Sequence, residues 1–155
     1  MSGALPPTGE DDVGVPPTPP MRPLAGQGPA FAAVAVGGVL GALARWGAEV
    51  AVPHAPGTFP LATFLVNVLG CLLIGALLVT ITEVRQAHPL VRPFLITGVL
   101  GGFTTFSTYA VDAQELLQGG HLATAGVYLV GTLVAALAAT WLGIRLTRAA
   151  TGVGR

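Results

Sequence analysis

The sequence contains no lysine; all seven basic residues are arginines, balanced by seven acids. Only 9% of the chain is charged, where a soluble domain carries about a quarter. A formal net charge of zero gives no electrostatic case for nucleic acid. The single cysteine, Cys71, lies in an apolar run and excludes an intrachain disulfide. His54, His88 and His121 sit in or beside loops without metal-ligand spacing, and no nucleophile pairs with a base, so the chain does not read as an enzyme. What is abundant is apolar: 52% of residues are hydrophobic and the mean hydropathy is +0.74. That balance describes a membrane protein.

Residues 1–29 stand apart. PPTGEDD and VPPTPP are proline-dense and poor in large apolar residues, so a disordered Pro-rich tail is expected. It lacks the charged start and apolar stretch of a secretory signal. Four apolar runs follow, at about 30–52, 59–81, 93–117 and 122–144. A bilayer core needs about 20 helical residues to cross, and each run is long enough. The expected fold is an all-α membrane protein of four transmembrane helices within residues 30–145, followed by a short cytoplasmic tail at 146–155. Connections are short, which leaves no room for an extramembrane catalytic domain. Function must reside between the helices, at their surface, or with a partner.

Small residues mark helix faces. Gly37 and Gly41 form a GxxxG, and Cys71 with Gly75 a second small-xxx-small step. Such faces let helices approach closely, either within the chain or between subunits. Arg45 and Glu49, four apart, share a helical face and can pair. Asn67 lies deep in an uncharged run; it either bonds a neighbouring helix or serves a site in the membrane. Tyr128, Thr132 and Thr140 fall on one face of the fourth helix, where threonines can also bond back to their own helix.

The third run holds the anomaly GGFTTFSTYA, residues 101–110. Two adjacent glycines and a cluster of hydroxyls predict a helix broken at Gly101-Gly102. Freed backbone groups at membrane depth are tolerated only where protein buries them or where they line a cavity or hold an ion. Carbonyls there suit a cation. Donors on Asn67, Ser107, Thr108, Tyr128 and Thr132 suit an anion, and the electropositive ring edges of Phe106 and Tyr109 add to them.

At these residues the chain resembles the CrcB/Fluc fluoride channels. GGFTTFSTYA is similar to that family's GG-x-TTFSTF signature, NVLGCLLIG from Asn67 to its N-x-x-G motif, and GALARWG around Arg45 to its first-helix motif. The resemblance covers about 30–145. It implies a small channel for passive fluoride efflux from the cytoplasm, sited in the bacterial cell membrane. It further implies two subunits packed antiparallel, with a Na⁺ ion at the dimer centre. By motif position, the carbonyls of Gly101 and Thr104 would hold the cation and Asn67 would serve the pore. Phe106 and Tyr109 would meet fluoride edge-on. The hydroxyl track would include Ser107, Thr108, Tyr128, Thr132 and Thr140, with Arg45 and Gly102 as structural or interface positions. Such donors can replace the water of a small, tightly hydrated anion without a fixed charge that would trap it.

Two positions depart from the family pattern. Tyr109 replaces a phenylalanine, and its hydroxyl could narrow or repurpose the site. Asp112 replaces a glutamate, as a shortened pore-mouth or interface acid or as a solvated helix-end charge. The arginines predict orientation. Both termini and the second–third loop carry Arg22, Arg85, Arg92, Arg145, Arg148 and Arg155, whereas the two opposite loops carry no Lys or Arg. The positive-inside rule then puts both termini in the cytoplasm. A chain that inserts one way favours a heterodimer with an inverted homologous subunit over a homodimer. The alternatives are a non-conducting structural partner within such a heterodimer, and a small four-helix drug/proton antiporter, which would need a carboxylate deep in the membrane.

Overall fold

The computed structural model describes residues 26–84 and 88–152. Most of the proline-rich tail, together with Arg22, Arg85 and Arg155, lies outside the described residues. Among those described there is no strand, and four helical spans are long and apolar enough to cross a membrane: Gly28–Ala51, Leu61–Val84, Pro93–Gln118 and Leu122–Thr151.

The first span is one helix, α1 (Gly28–Ala51), with a proline in its first turn, where the missing N–H costs nothing. The second is α2 (Leu61–Val79), which widens into a π-helical turn at Thr80–Val84. The fourth, α5 (Leu122–Thr151), runs seven residues past the expected end at Ile144. No breaker occurs until Gly152, which takes the left-handed conformation at φ 70° that glycine adopts without steric cost. The extension lets Arg148 make two hydrogen bonds to Glu83, at 3.0 and 2.6 Å. The ends of the second and fourth spans therefore lie on one side. On the other side the His121 ring packs against Gly57, joining the first–second loop to the third–fourth loop.

The third span is composite: a π-helical segment Pro93–Leu100, a single α-turn α3 (Gly101–Phe103), an interruption, and α4 (Ser107–Gln118). The interruption corrects the expected position. Gly101 is helical at φ −65° and ψ −34°. The backbone turns extended only at Thr104, at φ −74° and ψ 155°. The glycine pair reads as a breaker by propensity, yet packing decides otherwise. A Cβ on Gly102 would run into the Gly38 carbonyl and lie 3.1 Å from the Ala42 nitrogen. Glycine is there for close approach to α1, and the helix continues through it.

The same logic assigns the GxxxG stripe to packing within the chain. A Cβ on Gly37 would meet the Phe94 carbonyl and one on Gly41 the Val99 carbonyl, both on the third span. Gly75 faces the Thr140 carbonyl, and Gly143 the Leu72 carbonyl. Two glycine-mediated pairs result, α1 with the first half of the third span and α2 with α5. The interruption lies beside both, because a Cβ on Gly70 of α2 would strike the Thr104 side chain.

The candidate ion site at the interrupted helix

An interrupted helix must find new partners for its backbone. Here they come from α1 and α2. Asn67 Nδ2 donates to the Thr105 carbonyl at 2.9 Å, and Asn67 Oδ1 accepts from the Thr105 N–H at 2.8 Å. The two bonds need a donor and an acceptor on one side chain, and the carboxamide offers both in only one orientation. Arg45 Nε donates to the Gly102 carbonyl at 3.3 Å, and its Nη1 to Glu49 Oε1 at 3.4 Å. The expected Arg45–Glu49 pair is present, with a third member the sequence did not indicate.

These substitutions leave particular carbonyls without their helical amides. In a continuous helix the Thr105 N–H would bond the Gly101 carbonyl and the Thr108 N–H the Thr104 carbonyl. Instead the first goes to Asn67 and the second to Thr105 Oγ1, at 3.1 Å. Gly101 and Thr104 thus keep free acceptors. Neutral carbonyl oxygens are hard donors of the kind that replace an alkali cation's water, so the residues present fit Na⁺. Among the described residues no group of His, Cys, Asp or Glu could hold a metal ion.

Beside the interruption, between α2 and α5, lies a cavity of about 400 Å³ whose lining includes Asn67, Thr105, Phe106, Tyr109 and Thr132. Thr132 is 5% exposed, and its hydroxyl has no hydrogen-bond partner. A buried, unpartnered hydroxyl is costly, and among the described residues Thr132 Oγ1 is the buried side-chain polar atom left without a partner. Phe106 is 79% exposed, so its ring forms an open edge of the cavity. Its centroid lies 5.8 Å from that of Tyr109, which lies 5.2 Å from that of Tyr128. Phe59 then meets Tyr128 edge to face at 5.4 Å.

The other candidates divide. Ser107 and Thr108 are held by Thr105 Oγ1, at 3.2 and 3.1 Å, and neither lines the cavity. Thr140 bonds back to the Ala136 carbonyl at 3.0 Å, one turn beyond the cavity wall. Tyr128 is fully buried and donates to Asp112 Oδ2 at 3.0 Å. Asp112 is therefore no solvated helix-end charge; it is buried against α5. Its other face borders a second cavity of about 340 Å³ between the loops, shared with His54, Glu115 and His121. The Tyr109 hydroxyl does not enter the ion cavity freely, for it donates to the Leu129 carbonyl at 2.9 Å. Thr105 was missed by sequence reasoning. It lies inside the signature and organises it, but its role depends on Asn67, 38 residues away.

Known proteins supply the remaining observation. The family model described as "CrcB-like protein, Camphor Resistance (CrcB)" matches residues 32–144. The chain is 57% identical over 116 residues to the fluoride-specific ion channel FluC 1 of Streptomyces coelicolor, covering 75% of each chain. It is 57% identical over 108 residues to FluC 2 of Streptomyces avermitilis, covering 70% of this chain and 68% of that one. Against FluC of Paracoccus denitrificans it is 42% identical over 118 residues, 76% of this chain and 94% of the other.

Proposed function

Since the chain belongs to the CrcB family of fluoride-specific ion channels, we propose that its fluoride route runs along the cavity beside the interrupted helix and is completed by a second subunit. The chain is a fluoride channel subunit, and membership of that family sets aside the drug/proton antiporter reading. The unpartnered hydroxyl of buried Thr132 is the observation that carries the route. Fluoride holds its water strongly, so a pore must offer donors already in place. Thr132 offers an O–H, Asn67 a second N–H, and Phe106 and Tyr109 their ring edges. None of these bears a positive charge that would hold the ion.

Two results should separate this wall from its surroundings. Replacing Thr132 with Val keeps the shape and removes the donor, so fluoride flux should fall severalfold. Replacing Thr140 with Val should leave flux near the unaltered rate, because its hydroxyl is spent on Ala136. A fluoride electrode reading efflux from proteoliposomes checks both. Equal losses from the two variants would disperse the route along α5 rather than confine it to the cavity.

Phe106 faces outward, so one subunit presents only one wall of the route. A second, inverted subunit supplies the other and brings a second set of carbonyls to the Gly101 and Thr104 carbonyls, where Na⁺ would sit. Bound there, Na⁺ supplies a fixed positive charge that neutralises the facing carbonyl dipoles. The partner we favour is an inverted homologue. Among described residues outside the membrane core, Arg92, Arg145 and Arg148 all belong to the side of the Glu83–Arg148 pair. The loops near His54 and His121 carry no arginine. A reporter active only in the cytoplasm, fused to either terminus, should therefore signal strongly. Equal signals from cytoplasmic and external reporters would indicate dual insertion and a homodimer.

A further inference from the structure

We infer that Arg45 and Asn67 are positioning residues that select which carbonyls of the interrupted helix are left to bind the cation. The inference rests on the reading of Gly101 and Thr104 as a cation site. Interrupting a helix frees a series of neighbouring carbonyls, and a site open to all of them would have no fixed register. In this chain two of the series are occupied. Gly102 takes the Arg45 Nε–H, and Thr105 takes the Asn67 Nδ2–H. Arg45 comes from 57 residues away and Asn67 from 38, so neither is a local capping habit.

Asn67 acts a second time. Its Oδ1 draws the Thr105 N–H away from Gly101, the helical partner that N–H would otherwise take. One carboxamide thus blocks the Thr105 carbonyl and unblocks that of Gly101. Arg45 blocks Gly102 and adds a restriction of its own. A guanidinium on the carbonyl between Gly101 and Phe103 repels any cation that would settle there. Glu49 holds that guanidinium through Nη1, fixing its plane against the carbonyl. The carbonyls of Gly101, Phe103 and Thr104 remain, and Gly101 and Thr104 are the pair read above as the cation site. Supports of this kind around a metal's ligands typically change affinity by about 10- to 100-fold when removed.

The test is a Na⁺ titration of the full chain in its purified dimer, read as thermal stability in detergent, with N-methylglucamine replacing Na⁺. In Asn67→Leu and in Arg45→Gln the Na⁺ concentration for half-maximal stabilisation should rise by about tenfold. Arg45→Lys keeps a charged donor for Gly102 and should recover most of the loss. Should Asn67→Leu fail to purify, Asn67→Asp serves: its carboxylate still accepts from the Thr105 N–H but no longer donates to the carbonyl, and the midpoint should again rise. An unaltered protein that responds to Na⁺, with midpoints unmoved in the variants, overturns the positioning role alone. An unaltered protein with no response to Na⁺ overturns the cation reading, and the positioning role with it.

Discussion

Replacing Phe106 with isoleucine should reduce fluoride efflux by about two- to tenfold while leaving the dimer folded. Isoleucine keeps bulk and loses the electropositive ring edge. Aromatic edge contacts are worth about 0.5–1.5 kcal/mol, and each ~1.4 kcal/mol is a factor of ten in rate. The ring is 79% exposed on its own subunit, so its removal opens no internal cavity and folding should be spared. Proteoliposomes carrying the variant would be compared with the unaltered protein at equal dimer density. Efflux at the unaltered rate would remove the aromatic role from this subunit's ring.

Replacing Gly41 with valine should prevent recovery of a folded dimer. A Cβ at Gly41 meets the Val99 carbonyl and lies 2.8 Å from the Phe103 nitrogen. Both are backbone atoms, which cannot swing aside as a flexible side chain would. Overpacking in a well-packed interior costs about 1–3 kcal/mol even where side chains give way, and here α1 and the third span must separate. That separation also draws Arg45 off the Gly102 carbonyl and so dismantles the interruption. Gly47 is the control: a Cβ there meets nothing within 4 Å, and Gly47→Ala should fold normally. The fraction eluting as a monodisperse dimer from detergent extracts checks both variants. Normal yield from Gly41→Val would mean that the spans do not approach through this glycine.

The contrast between those two glycines also shows where sequence reasoning stops. Spans were legible because hydropathy and length are properties of a continuous segment, and four runs above bilayer thickness leave little choice. The stripe formed by Gly37 and Gly41 was legible as a close-packing face, but its partner was not, since spacing says nothing of which helix approaches. The interruption was expected at the glycine pair and lies at Thr104–Phe106 instead. Propensity is local, whereas the chain turns where Asn67 and Arg45 supply replacement partners from other spans. Thr105 went unnoticed for the same reason. Asp112 stood equally well as a pore-mouth or interface acid and as a solvated helix-end charge, and its bond to the buried Tyr128 hydroxyl removes the second. On α5, Thr132 and Thr140 share a face, and no sequence rule separates a buried hydroxyl left without a partner beside a cavity from one bonded to its own helix. The charge asymmetry of the loops, by contrast, is fully a sequence property, and the orientation it predicts needs only a reporter to check.

The central claim is that this chain conducts fluoride along a route walled by Asn67, Phe106 and Thr132. The most direct measurement is ion-selective efflux from liposomes containing the full chain reconstituted with an inverted homologous subunit. Vesicles would be loaded in turn with fluoride and with chloride, and release would be started by a potassium ionophore. Rapid fluoride loss with chloride retained is the predicted result, and the fluoride rate should fall severalfold in Phe106→Ile. Retention of fluoride in vesicles shown to hold folded dimer, or release of both anions at similar rates, would contradict the account.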